Sequence, residues 1–317
     1  MKISLITPAK KRSRAGNRTT AERWRRILQS LGHRVRVAVD YGGEDADLMV
    51  ALHAWRSAGA IEAFRDRHPD APLIVALTGT DIYRFQASHP AVTVRSMEMA
   101  DALVCLHDLV HRAIPERFAS KLQVIYQSAP PLPRPREPSR RFFDICVIGH
   151  LREEKDPLRT AYAVRDLPAS SRIRVIHLGK AHDSDWARRA EEEMRRNPRY
   201  IWRGEVPGWA VRKTFVKTQL MVLSSLMEGG ANVISEAVVA GVPVIASDIP
   251  GSIGLLGDSY PGYYPVGDTA ALRTLLRRSE TDPVFLADLT QRCAARASLF
   301  SPEAELERWQ ALLARVA

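Results

Sequence analysis

The chain has 317 residues, 45% of them hydrophobic, which is long for one core and ordinary for two domains. Its net charge of +10 points to nucleic acid, a membrane surface or small anions as partners, but the basic residues are spread through helix-like segments without any nucleic-acid signature, so nucleic acid is not expected. With no run of about 18 apolar residues and a strand-like start over residues 1–8, neither a membrane span nor a secretory signal is expected, and a cytoplasmic location follows.

Cysteine and histidine usage narrows the chemistry. Cys105, Cys146 and Cys293 lie far apart in apolar segments, as buried thiols do, and the histidines lack metal-ligand spacing. A metal or other cofactor is therefore not expected.

Lys2 to Thr7 (KISLIT) reads as a buried strand. A basic loop follows, PAKKRSRAGNR, in which Lys10, Lys11, Arg12, Arg14 and Arg18 crowd around a Gly16-Asn17 turn. A loop at a strand's carboxyl end that opens onto a helix N-terminus suits an anion, although a solvated basic loop is the plainer alternative. Thr19 with Glu22 forms a capping-box pattern, and Ala21, Trp24, Ile27, Leu28 and Leu31 make an apolar stripe that ends at Gly32.

Strands are expected at Val35–Val39, Asp47–Leu52 and Leu73–Leu77, with a helix from about Ser57 to His68. Such alternation predicts an α/β, doubly wound parallel sheet. His53 and Trp55 follow the third strand, and Thr78-Gly79-Thr80-Asp81 with Tyr83 follow the fourth, so both groups fall on the ligand-binding edge. For His53, a satisfied structural histidine and a ligand contact are equally open readings. Further strands are expected at Asp101–Leu106 and Leu122–Ile125, with a helix from His107 to Ile114 between them. Five prolines between Pro130 and Pro138 suit a stiff linker between two lobes that close on a ligand.

The second half repeats the architecture. Phe142–Ile148 and Arg174–Leu178 read as strands, Asp185–Arg196 as a charged helix, and Tyr200–Val206 as another strand. Trp209 is read as core in preference to a cover for a nucleobase. Leu220–Leu223 is a short buried strand that ends in Ser224-Ser225. The loop Glu228-Gly229-Gly230 follows, then a helix over Ala231–Ala240 closed by Gly241, and the strand Val242–Ala246. The glycines allow close approach of a ligand, and the helix start would aim N–H groups at phosphate. Glu228 and Glu236 flank that turn, and carboxylates so placed suit the hydroxyls of a ribose or hexose. Helices are expected over Gly267–Ser279, Asp282–Ala297 and Pro302–Val316.

Glu228 and Glu236 enclose seven residues and are followed by AVVAGVPVIASDIPG, which resembles the Glu-x7-Glu signature of retaining glycosyltransferases of the GT-B fold, family 4. The resemblance implies two Rossmann-like domains facing a cleft. They would comprise an acceptor domain over residues 1–130, a linker over 131–140, a nucleotide-sugar domain over 141–300 and a helix over 301–317 that crosses back to the first domain. The run Gly149 to Asp156 resembles the family's G-R-L-x-x-E-K-G segment, so Arg152 and Lys155 would grip the donor pyrophosphate. With Glu228 they form the expected catalytic group. Tyr200–Val206 resembles the segment that meets the base, which implicates Glu205 and Val206, a plain strand end being the alternative. The remaining expected donor contacts are Gly16, Asn17, Gly229, Gly230, Ala231, Asn232, Val233 and Glu236. TGTDIY resembles the family's HGTDLY-like segment, with Thr78 where a histidine often stands.

The opening SLITPAKKRSRAGNRTTAERWRRIL, with TGTDIY, also resembles the selenosugar synthases of selenoneine biosynthesis. Those enzymes join selenophosphate to the anomeric carbon of a UDP-sugar such as UDP-N-acetylglucosamine. The resemblance implies UDP-sugar and selenophosphate as partners, with Lys10, Arg12, Arg14, Arg18, His53, Thr78, Thr80 and Asp81 around the acceptor. The alternative is a family 4 retaining transferase acting on a lipid, glycan or small-molecule acceptor.

Overall fold

The computed structural model describes residues 1–11 and 16–316, which form two compact units. The first contains Met1–Ser128, Glu228–Asn232 and the chain from Pro302; the second contains Ala129–Met227 and Val233–Ser301.

Each unit is built on a six-stranded, fully parallel sheet. The first holds β1 (Lys2–Ile6), β2 (Arg34–Ala38), β3 (Leu48–Leu52), β4 (Leu73–Leu77), β5 (Ala102–Cys105) and β6 (Leu122–Val124) in the order β2-β1-β3-β4-β5-β6. The second holds β7 (Phe143–Ile148), β8 (Ile173–Leu178), β9 (Tyr200–Trp202), β10 (Leu220–Leu223), β11 (Val244–Ser247) and β12 (Tyr263–Tyr264) in the order β12-β11-β10-β7-β8-β9. The chain reverses its direction of travel between β1 and β3 in one sheet and between β7 and β10 in the other. In open parallel sheets the connections diverge at such points and leave a crevice at the carboxyl edge.

The apolar runs are explained by burial on both faces. Along β3, Met49 and Ala51 enter one core with Phe64, Leu73, Val75 and Met97, while Leu48, Val50 and Leu52 enter the other with Trp24, Leu28, Ile74 and Trp309. The edge strand β2 alternates Arg with Val and is only partly covered. The second core includes the helix Pro302–Val316, whose Trp309 meets Trp24 edge to face at a centroid separation of 4.8 Å. Beside that pair Glu305, 0% exposed, accepts from Trp24 Nε1 (2.8 Å) and Ser128 N (2.9 Å) and pairs with Arg23 (2.9 Å).

Several local expectations are corrected. The first helix runs Gly16–Ser30, so Thr19 and Glu22 lie inside it and do not form a capping box; Glu22 instead pairs with Arg18 and Arg25. No α-helix spans His107–Ile114: 3₁₀ turns occupy Asp108–Arg112 and Glu116–Lys121, because the His107 ring caps Leu109 N–H at 3.2 Å and Pro115 interrupts the run. A helix unforeseen in the sequence, Pro90–Met99, buries Thr93, Ser96 and Met97. β9 stops at Trp202, short of Val206. The proline-rich stretch is tied to the second unit, with Glu137 N–H on Val216 O (2.8 Å) and the Arg136 guanidinium on the carbonyls of Thr218 and Gly241.

Removing the buried Glu305 carboxylate uncovers the Arg23 charge and leaves the Trp24 and Ser128 donors unmet. Glu305→Ala is therefore expected to cost about 3–5 kcal/mol of stability, measured by urea unfolding. A loss below about 1 kcal/mol, the range of exposed ion pairs, would refute that role.

Candidate functional site

In the second unit the switch-point crevice is walled by the loops after β7 and β10. Gly149 and Gly179 pass so closely that a Cβ on Gly179 would overlap the Gly149 carbonyl. His177, fully buried, fixes this approach: its Nε2–H donates to Gly149 O at 3.1 Å, and its Nδ1 accepts from the Tyr200 hydroxyl at 2.9 Å. Burial pushes the His177 pKa down to about 4, so the ring is neutral at pH 7. Beyond it, Leu151 bridges to Ala181, and a 3₁₀ turn carries Glu153–Lys155 into Asp156, a left-handed residue at φ 41°.

The Ser224 hydroxyl at the end of β10 donates to the carbonyls of Lys155 (3.0 Å) and Asp156 (2.9 Å), and Leu226 N–H donates to Glu154 O (2.9 Å). These bonds lock the cationic loop onto the β10 edge. Arg152 keeps 42% of its side chain exposed, and its Nε is buried without a hydrogen-bond partner, since Glu154 lies 3.9 Å away. A guanidinium whose ion pair with Glu154 is long and carries no hydrogen bond at Nε is suited to an anionic oxygen.

Glu205 is exposed and Val206 half-buried beyond β9. Trp209 is 69% exposed at the start of the helix Gly208–Lys217, which corrects the expectation that it fills the core: that helix buries Phe215 and Val216 instead. Glu236 and Val233 are half-buried in the helix Asn232–Val239, and Gly241 closes that helix at φ 70°.

In the first unit the crevice edge carries the predicted acceptor residues. His53 sits at φ 78°, a conformation rare for a side-chain-bearing residue, and is 1% exposed. Its Nδ1 accepts from Arg56 N–H (3.1 Å), so the proton is on Nε2, which donates to Thr80 Oγ1 (2.9 Å). Burial lowers its pKa, and the ring acts as a structural support for Thr80. Asp81, expected to meet the acceptor, is instead fully buried, with its carboxylate accepting from the N–H groups of Ala54, Thr78, Gly79 and Ile82. It shapes the turn that presents Thr78 and Thr80. Arg18 is also corrected: its side chain is 10% exposed and donates to Glu22 within its own helix, so it is not held open for an anion. Lys10, Lys11 and Gly16 are exposed and Asn17 half-buried, while Arg12 and Arg14 lie outside the described residues.

Glu228–Asn232 contributes to this same first-unit edge. Its glycines are explained by packing against the protein itself: a Cβ on Gly79 (φ 123°) would lie 2.5 Å from Gly229 N, and one on Gly230 (φ 135°) would overlap Leu106. Gly230 O accepts from Gln127 Nε2 (2.7 Å), and Asn232 Oδ1 accepts from Arg23 Nη1 (2.9 Å). Ala231 is buried, and Glu228 is half-buried. Sequence reasoning missed Arg23, Gln127 and Glu305, because their association depends on contacts between positions 104 to 282 residues apart.

Among the described residues no group of three or more His, Cys, Asp and Glu side chains could hold a metal, and no helix is long and apolar enough to cross a membrane. The three cysteines are free and buried.

Residues 134–298 match the family described as "Glycosyl transferases group 1". No curated protein matches the chain. Among solved structures, HepE of Anabaena in complex with UDP and glucose is similar at 15% identity and a TM-score of 0.78, over 99% of this chain and 100% of that one. Sucrose-phosphate synthase from Thermosynechococcus elongatus is similar at 17% identity and a TM-score of 0.78, over 99% and 98%. The pneumococcal O-GlcNAc transferase GtfA in complex with UDP and GlcNAc is similar at 16% identity and a TM-score of 0.68, over 92% and 59%. These likenesses establish the GT-B fold.

Because His177 is neutral when folded and takes up a proton more readily when unfolded, stability is retained above pH 6.5 and lost as pH falls towards 4. This histidine's share is about 3 kcal/mol. His177→Gln, which can still donate to Gly149 O, is expected to flatten that part of the profile in urea unfolding between these pH values; an unchanged slope would show that His177 does not carry it.

Proposed function

The chain belongs to the glycosyl transferases of group 1, and from that premise we propose that it makes a selenosugar, joining selenophosphate through selenium to the anomeric carbon of a UDP-sugar of the UDP-N-acetylglucosamine type. The observation that carries the donor half is the cationic loop at the β7–β10 switch point, where Arg152 and Lys155 are held on a backbone pinned by Ser224. UDP accompanies glucose in the HepE complex and GlcNAc in the GtfA complex, which supports the choice of donor.

The chemistry follows from charge. Selenophosphate is already anionic, so its selenium needs no strong base to attack the anomeric carbon; it needs cations to hold its phosphate and aim it. Lys10, with Arg12 and Arg14, supplies them. As the C–Se bond forms, the anomeric C–O bond breaks and its electron pair goes to the departing UDP. Arg152 and Lys155 take up that charge in the role a metal ion would otherwise fill. Glu228 holds sugar hydroxyls and Glu236 the ribose. Water then cleaves the Se–P bond, giving inorganic phosphate and the selenosugar.

Incubation with UDP-N-acetylglucosamine and selenophosphate, followed by mass spectrometry, is expected to give UDP, phosphate and a selenium-bearing hexosamine. UDP release only with a lipid, glycan or other small acceptor would replace this reading with an ordinary family 4 transfer. Arg152→Ala and Glu228→Ala are each expected to lower kcat by roughly two to four powers of ten, the scale of losing a transition-state charge partner. Turnover within a few-fold of wild type, measured as UDP release, would remove the residue from the mechanism.

A further inference from the structure

We infer that Gln127 and Arg23 are positioning residues for the donor sugar, acting through the segment Glu228–Asn232; the inference rests on the role given above to Glu228. That segment joins β10 to the helix Asn232–Val239, yet it is packed as part of the first unit. Packing and hydrogen bonds hold it there. Gly229 lies against the backbone of Thr78 and Gly79, the Gly230 carbonyl accepts from Gln127 Nε2, and Asn232 Oδ1 accepts from Arg23 Nη1.

The Gln127 amide has one orientation available. It is 3% exposed, and two donors face its Oε1, the Thr20 hydroxyl at 2.7 Å and Arg23 Nη2 at 2.6 Å. Nε2 must therefore point at Gly230. Arg23 is in turn fixed by the buried Glu305 at 2.9 Å. A rigid relay thus runs from Glu305 through Arg23 and Gln127 to Gly230, two residues from the Glu228 carboxylate. With Gly229 and Gly230 both clamped, Glu228 has little freedom other than its own side-chain torsions. Displacing a positioning contact by about 1 Å is enough to cost a large factor in productive binding.

Arg152 and Lys155 belong to the second unit, so affinity for UDP alone serves as an internal control. Gln127→Glu retains the acceptors for Thr20 and Arg23 and replaces the donor to Gly230 with a carboxylate oxygen that repels the Gly230 carbonyl, so the clamp on the segment is lost. Calorimetry with UDP-N-acetylglucosamine and with UDP, each on the full chain, reads the effect without needing any acceptor. Gln127→Glu is expected to weaken the sugar nucleotide roughly tenfold to a hundredfold, the cost of one misplaced charged hydrogen-bond contact, while UDP affinity stays within threefold. Gln127→Glu combined with Glu228→Ala should be no weaker than Glu228→Ala alone, because both remove the same contact. Arg23→Lys, which keeps the charge on Glu305 but loses the fork to Gln127 and Asn232, should give a milder version of the same split.

Wild-type affinity in Gln127→Glu alongside an impaired Glu228→Ala overturns the inference, as does a parallel loss of UDP affinity or multiplied losses in the double variant. If Glu228→Ala itself binds the sugar nucleotide normally, the functional reading of Glu228 is wrong and the inference falls with it.

Discussion

A charge buried away from water is tolerable only when donors surround it, and Glu305 meets that condition with Arg23, the Trp24 indole N–H and both donors of Ser128. Three separate stretches of chain must converge for this to happen: the first helix, the residues after β6 and the last helix. Once they converge, Arg23 and Gln127 have only one direction left in which to project. The placement of Glu228–Asn232 follows from there. The position of the loop at 228–232 is thus tied to residues about 100 to 210 positions before it in the sequence.

In each parallel sheet the connections diverge at one point, and the loops beside the two points differ in chemistry. In the second unit the loop after β7 is cationic, and its rigidity comes from neutral supports: a proton-poor His177 and the Ser224 hydroxyl. In the first unit the turn after β4 is organised by Asp81, whose carboxylate is consumed by backbone N–H groups.

Part of this organisation could be read in advance. The parallel sheets were legible because strands buried on both faces have no polar alternation to confuse them, as LMVAL and LIVAL show. The place of the Arg152–Lys155 loop after β7 was legible because its sequence pattern is local and compact. Trp209 was misread because an aromatic residue in isolation says nothing about which side of its helix meets the core. The Gly229-Gly230 pair, expected to make room for a ligand, is packed against Thr78-Gly79 and Leu106 of the same chain. His107–Ile114 has helical spacing, yet its own histidine caps the first turn and Pro115 ends the run. Gln127 gave no signal at all: one amide between two strands becomes informative only when residues a hundred positions away arrive beside it.

The last helix places Trp309 against Trp24 and Glu305 beneath Arg23, which makes the first unit discontinuous in the chain. Any attempt to recombine halves of related transferases at the proline-rich stretch would sever this unit from one wall of its core. A workable chimera would have to inherit three pieces from the same parent: the opening 128 residues, the pentapeptide at 228–232 and everything from Pro302. Evolutionary shuffling of one unit between relatives would meet the same barrier.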